Sequence, residues 1–132
     1  MRSLLAVIAV LASVSSIRAD EAPLRTVDFT IVLTDQNNRP METCPNPGEK
    51  DCSKKEVMTL GSVAFNALSL PEQGLALDKG LKRGQLAMAV AHANSAKLTA
   101  SDITTIEECV AKLYNPFILF RVVSIIDPNL IK

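Results

Sequence analysis

Apolar positions along this chain follow three spacings, and each spacing predicts a different element. Near the N-terminus they are continuous: Leu4 to Leu11 is apolar throughout, and small or apolar residues carry on to Ile17. From Val27 they alternate, with Val27, Phe29, Ile31 and Leu33 on one side and Asp28, Thr30, Val32 and Thr34 on the other. A period of two built from β-branched residues predicts a half-buried strand. From Leu60 onward they recur at intervals of three and four, the spacing of a buried helical face.

Turn and cap chemistry divides these stretches. Asp35-Gln36-Asn37-Asn38 ends the strand, since Asx side chains bond their own backbone and Asn tolerates left-handed angles. Arg39 to Thr43 is expected to return as a second strand, with Pro40 at an edge because it cannot donate to a ladder. Residues 44–55 hold two prolines and a glycine and predict an irregular polar loop. Val57 and Met58 add a short strand before a helix capped by Thr59, whose inward face is Leu60, Val63, Ala64, Ala67 and Leu68 and which stops at Pro71. Residues 78–97 read as a longer helix, weakened near Gly80 and Gly84 and rich in alanine in its second half. Thr99 and Asp102 then have the spacing of a reciprocal cap, with Leu98 placed to pack on Ile103. The inward stripe of the helix that follows is Ile103, Ile106, Val110 and Leu113. Asn115-Pro116 ends that helix and suits the start of another, with Asn as cap and Pro at the first position. Phe117 to Ile126 is apolar enough for burial, and its β-branched content leaves helix and strand both open; we read it as a helix. The expected fold is α+β: an N-terminal β-hairpin with a disulfide loop, packed on three to four helices in one domain, residues 20–132.

The continuous run at the N-terminus has a different meaning. A basic start at Arg2, an apolar stretch and small Ala19 form the pattern of an export signal cut between Ala19 and Asp20. Arg18 interrupts the run before the ~20 apolar residues a membrane span needs. Residues 1–19 are therefore expected to be a signal peptide, and the protein to be secreted or periplasmic.

Removing the leader changes the charge. The whole chain has 14 basic and 14 acidic residues; the leader takes away Arg2 and Arg18 and no acid, leaving a net charge of −2. No basic excess remains to suggest a nucleic-acid partner or a polybasic membrane surface. Aromatics are few, with no Trp, one Tyr and four Phe, so the core falls to Leu, Ile, Val and Ala.

Cys44 and Cys52 sit eight positions apart around turn-forming residues in a chain expected to meet an oxidising compartment, and a disulfide between them is the expected state. Zinc binding by Cys44, Cys52, Cys109 and His92 is the competing reading, but zinc sites use closer pairs such as CxxC. Cys109, next to Val110, reads as a small buried hydrophobe. A nucleophilic Cys109 would need His92, the only histidine, and no local signature joins them. Lys79, Lys82 and Arg83 form a small basic cluster suited to an acidic partner, though such clusters are usually solvated faces. Glu107 and Glu108 are neighbours, so they diverge on a helix and cannot act as an acid/base pair. Met41, Met58 and Met88 follow no usable spacing. No dinucleotide fingerprint, P-loop, HExxH or GxSxG occurs, and no cofactor or metal site is expected.

Several of these pieces together have a familiar arrangement. Thr59-Leu60-Gly61 with Ala67-Leu68, Lys82-Arg83 with Leu86-Ala87, Leu98 to Ile103 with Ile106, and Tyr114-Asn115-Pro116 are similar to the helical half of small phage and prophage proteins of unknown function. The resemblance spans about residues 27–127 and implies a fold pattern and a prophage origin, with no activity to carry over. Those proteins start near the strand and lack the leader and the cysteine loop, so this chain would be a version refitted for export. The function expected is an exported protein-binding or accessory domain with no catalytic site, with partner and oligomeric state unspecified. The alternative is a cytoplasmic phage-type assembly or regulatory factor whose first residues are not a signal.

Overall fold

The fold is described from a computed structural model covering residues 24–44, 52 and 54–131. The signal-peptide boundary at Ala19 and Asp20 lies outside the described residues.

The elements run β1 (Arg25–Asp28), β2 (Glu42–Thr43), β3 (Glu56–Val57), α1 (Leu60–Leu68), α2 (Leu77–His92), β4 (Ser95–Leu98), α3 (Ala100–Leu113) and α4 (Pro116–Ile126), with a 3₁₀ turn at Pro128–Ile131. This is the α+β arrangement of strands on four helices expected from the sequence. β1 pairs antiparallel with β4, Arg25 opposite Leu98 and Asp28 opposite Ser95. β2 pairs antiparallel with β3, Glu42 opposite Val57 and Thr43 opposite Glu56, and the Cys44–Cys52 disulfide closes the connection just beyond that pair.

The alternating segment is shorter as a regular strand than its pattern suggests. Past Asp28 it continues as single bridges, Val32 to Thr59 and Thr34 to Pro40, because three partners share it in succession. Phe29 N–H donates to Asn94 O, Leu33 N–H to Met58 O, and Gly61 N–H donates back to Phe29 O. Val27, Phe29 and Leu33 are buried as expected, whereas Ile31 is 37 % exposed. The turn forms where the sequence places it. Asp35 Oδ1 accepts from the amides of Asn37 (2.8 Å) and Arg39 (3.0 Å), and Asn38 takes the left-handed conformation at φ 60°.

α1 is the centre of the molecule, packed on both α2 and α3. Thr59 and Ser62 cap it reciprocally, and Leu60, Val63, Ala64, Ala67 and Leu68 are all buried. Glycine at 61 suits a close approach: a Cβ there would lie 3.0 Å from the Phe29 carbonyl oxygen, a tight contact. The cap of α3 has the predicted geometry, Thr99 Oγ1 accepting from Asp102 N–H at 3.1 Å and Asp102 Oδ2 accepting from Thr99 N–H at 3.0 Å. Its inward stripe is Ile103, Ile106, Cys109 and Val110; Leu113 is 40 % exposed, because the last turn runs past the packed surface. Phe117 to Ile126 is helical, started by Asn115 Oδ1 accepting from Ile118 N–H, and Ile118, Val122, Val123 and Ile126 face the core.

One expected helix is shorter than its pattern. The long helix read over residues 78–97 ends at His92, and Ser95 to Leu98 is strand β4. Alanine favours helix locally, but the backbone of β1 offers a ladder and Leu98 gains a buried site at 2 % exposure. Tertiary pairing overrides the propensity.

Candidate functional site

The residues with chemistry left exposed by this fold concentrate between α2 and α3. The chain passes from α1 into α2 through the Pro71–Ala76 connection, which places Glu72 beside both α2 and α3. On α3, Ser101, Thr105, Glu108 and Lys112 recur at i, i+4, i+7 and i+11, so they form a single polar stripe. That stripe faces Lys79, Lys82 and Arg83 of α2 across a cleft of about 340 Å³, with Leu75 also in its lining.

The cleft has a bonded end and an open end. At the first, Glu72 bridges two helices: Oε2 lies 2.7 Å from Arg83 Nη1 and Oε1 lies 2.7 Å from Lys112 Nζ. Hydrogen bonds from Lys112 and Arg83 hold the Glu72 carboxyl below the usual glutamate range. The Arg83 side chain is only 13 % exposed, so this arm is fixed in place. At the open end, Lys82 Nζ reaches Ser101 Oγ at 3.1 Å, and both Lys79 and Lys82 stand exposed with no ion pair to a described carboxylate. Four cations and two acids thus line the cleft, and one acid is already engaged by two of the cations. The remaining field is positive at the lysine end and complements a carboxylate-bearing ligand.

Cys109 lies beneath the bonded end, lining a small recess with Ala67, Glu72, Arg83 and Lys112. It is 2 % exposed, and burial pushes its thiol pKa up, the reverse of what activates a nucleophile. His92 is the last residue of α2 and exposed, while Cys109 lines a recess with Arg83, nine residues and roughly 13 Å of helix axis before His92. The fold does not bring the two together. Cys44 and Cys52 are joined to each other, with Cα atoms 5.7 Å apart, and so are not available as metal thiolates. Among the described residues no group of three or more His, Cys, Asp and Glu is placed to hold a metal ion. Nor is any described helix long and apolar enough to cross a membrane.

Glu107 and Glu108 diverge as expected: Glu108 borders the cleft, and Glu107 turns to the opposite side. There it meets Asp127 at the end of α4, beside Arg25, whose Nη1 donates to Ile126 O at 2.6 Å and lies 3.7 Å from Asp127 Oδ1. Glu107 Oε1 is buried with no hydrogen-bond partner, and burial together with the neighbouring Asp127 raises its pKa to about 7. This junction ties β1, α3 and α4. Its members are about twenty and eighty residues apart in the chain, so no sequence pattern announces it. Lys112 and Glu72 were also missed as cleft residues; the polar stripe on α3 was the available signal for Lys112.

Comparisons with protein-family models, with curated proteins and with solved structures give no significant match.

Proposed function

We propose that this chain is an exported domain that binds another protein, engaging an acidic segment of it in the cleft between α2 and α3. The observation carrying this reading is the exposed pair Lys79 and Lys82, without an ion pair to a described carboxylate, beside a fixed Arg83–Glu72–Lys112 bridge: a cation-rich edge on a chain whose mature part is net negative. The leader pattern of residues 1–19 and the Cys44–Cys52 disulfide support export, since such bonds persist in oxidising compartments.

Two measurements test it. Fusing residues 1–25 to a reporter that works only after export should give a positive signal, and a cytoplasmic reporter overturns that half. For binding, the isotope-labelled protein is titrated with a glutamate decamer. Expected are amide shifts confined to the neighbourhood of residues 79–83 and 101–112, reversed by 0.5 M salt and lost in Lys79→Glu/Lys82→Glu. Shifts elsewhere, or none, reject the cleft.

A further inference from the structure

On the side of α3 away from the cleft, three elements meet through charge. Glu107 of α3 faces Asp127, the residue that ends α4, and Arg25, the first residue of β1. Arg25 Nη1 donates to Ile126 O at 2.6 Å and stands 3.7 Å from Asp127 Oδ1. It thereby places a cation at the carbonyl end of α4, where the helix dipole favours one. Asp127 is also the hinge of the closing 3₁₀ turn. Its N–H donates to Val123 O at 2.8 Å, and its own carbonyl accepts from Leu130 N–H at 3.1 Å. No residue of that turn is buried, and Leu130 is 64 % exposed. The turn is therefore tied down at Asp127, without burial of its own side chains.

The junction holds two carboxyls and one guanidinium, and Glu107 Oε1 is enclosed there without a hydrogen-bond partner. Among the described residues, the other charges around α3 do not redress this. α1 carries none, and Arg121, the one charge on α4, donates to Asp35 O instead. Lys97 of β4 is exposed, and Glu108 is a further negative neighbour. A neutral Glu107 fits beside Asp127 and Arg25, whereas an ionised one sets two carboxylates against one cation in a partly dry site. A cavity of about 200 Å³ lined by Arg25, Ala100, Ile103, Thr104 and Asp127 gives water and a displaced side chain room to enter. We propose that this junction is a proton-operated latch: a neutral Glu107 lets Arg25 and Asp127 hold the C-terminal turn to the start of β1, and its ionisation frees residues 127–131. The latch is independent of what the cleft binds.

Its direction follows from the surroundings. Burial and Asp127 raise the Glu107 pKa to about 7 in the closed form, against an ordinary 4.5 once released. Opening is therefore unaffected by pH below 4.5 and becomes easier by up to about tenfold per pH unit between those values. It levels off above 7, where the closed form has lost its proton as well.

Hydrogen exchange of the Asp127 and Leu130 amides in the full chain tests the latch, since their bonds define the hinge. After correction for intrinsic rates, their protection should fall by at least about tenfold from pH 5 to pH 7.5. Their exchange should ignore 1 M urea while that of Val110 and Val122 accelerates, because only the turn opens. Glu107→Gln should keep its pH 5 protection at pH 7.5. The ¹³C carboxyl resonance of Glu107 in the parent should titrate with a midpoint near 7. A midpoint near 4.5 overturns the proposal, as do turn amides that share the urea response of the core or are unprotected at both pH values. An equal pH response in Glu107→Gln overturns it too.

Discussion

Glu107 is the one carboxyl in the described structure whose surroundings oppose its charge. Burial and the neighbouring Asp127 raise its pKa to about 7 from 4.5, and Arg25 offsets only part of that. Between those values the folded chain keeps a proton that the unfolded chain releases. The stability associated with the neutral form is therefore complete below pH 4.5 and is lost as pH rises toward 7. Thermal melts from pH 4.5 to 8 should show this decline superimposed on other titrations, and Glu107→Gln should flatten it, melting about 3 °C above the parent at pH 8. A parallel decline in both proteins would remove Glu107 as its cause. Glu72 presents the opposite case, because its two cationic partners favour the ionised form. Glu72→Ala frees Arg83 and Lys112 for a ligand, so affinity for the glutamate decamer should rise severalfold; weaker binding would show that the bridge holds the cleft in shape.

At the scale of elements, boundaries written in side chains were legible and boundaries written in pairing were not. The caps at Thr59, Thr99 and Asn115 each satisfy helix N–H groups that lack an intrahelical partner, and such local geometry is visible in a few consecutive residues. Thr99→Ala should cost about 1 kcal/mol, read as a lowered urea midpoint with unchanged slope. The end of α2 had no such mark: Ala93 to Lys97 is compatible with helix until β1, some seventy residues earlier, is beside it. The β2–β3 pair has only two residues a side and is closed by the Cys44–Cys52 bond. Joint replacement of Cys44 and Cys52 by Ser should lower stability by about 2–3 kcal/mol on the loop-entropy scale. An unchanged urea midpoint would show that the loop is equally confined without the bond.

Across the whole molecule, the tightest constraint lies where the strand layer meets α1. Gly61 N–H donates to Phe29 O at 2.9 Å, and the close approach leaves 3.0 Å for any Cβ. Gly61→Ala would crowd the Phe29 carbonyl at the seam between the strand and the helix that contacts both α2 and α3, so a loss of about 1–3 kcal/mol is expected in chemical denaturation. A neutral result would mean that the seam yields without disturbing the core. The same seam orients α1, and α1 fixes how far apart α2 and α3 stand. The width of the cleft is therefore a property of the packing as a whole.

The sequence by itself determined the α+β class, the turn at Asp35–Asn38, three helix caps, most of the core and the pairing of Cys44 with Cys52. Those features depend on side-chain periodicity, local hydrogen bonding and short loop closure, all of which act between near neighbours. The tertiary structure alone decided that residues 95–98 form a strand, that Glu107 meets Asp127 and Arg25, and that Glu72 and Lys112 join the basic cluster on α2. Each of these depends on residues brought close by packing across long chain separations, where the energy of contact outweighs local preference and leaves no periodic trace in the chain.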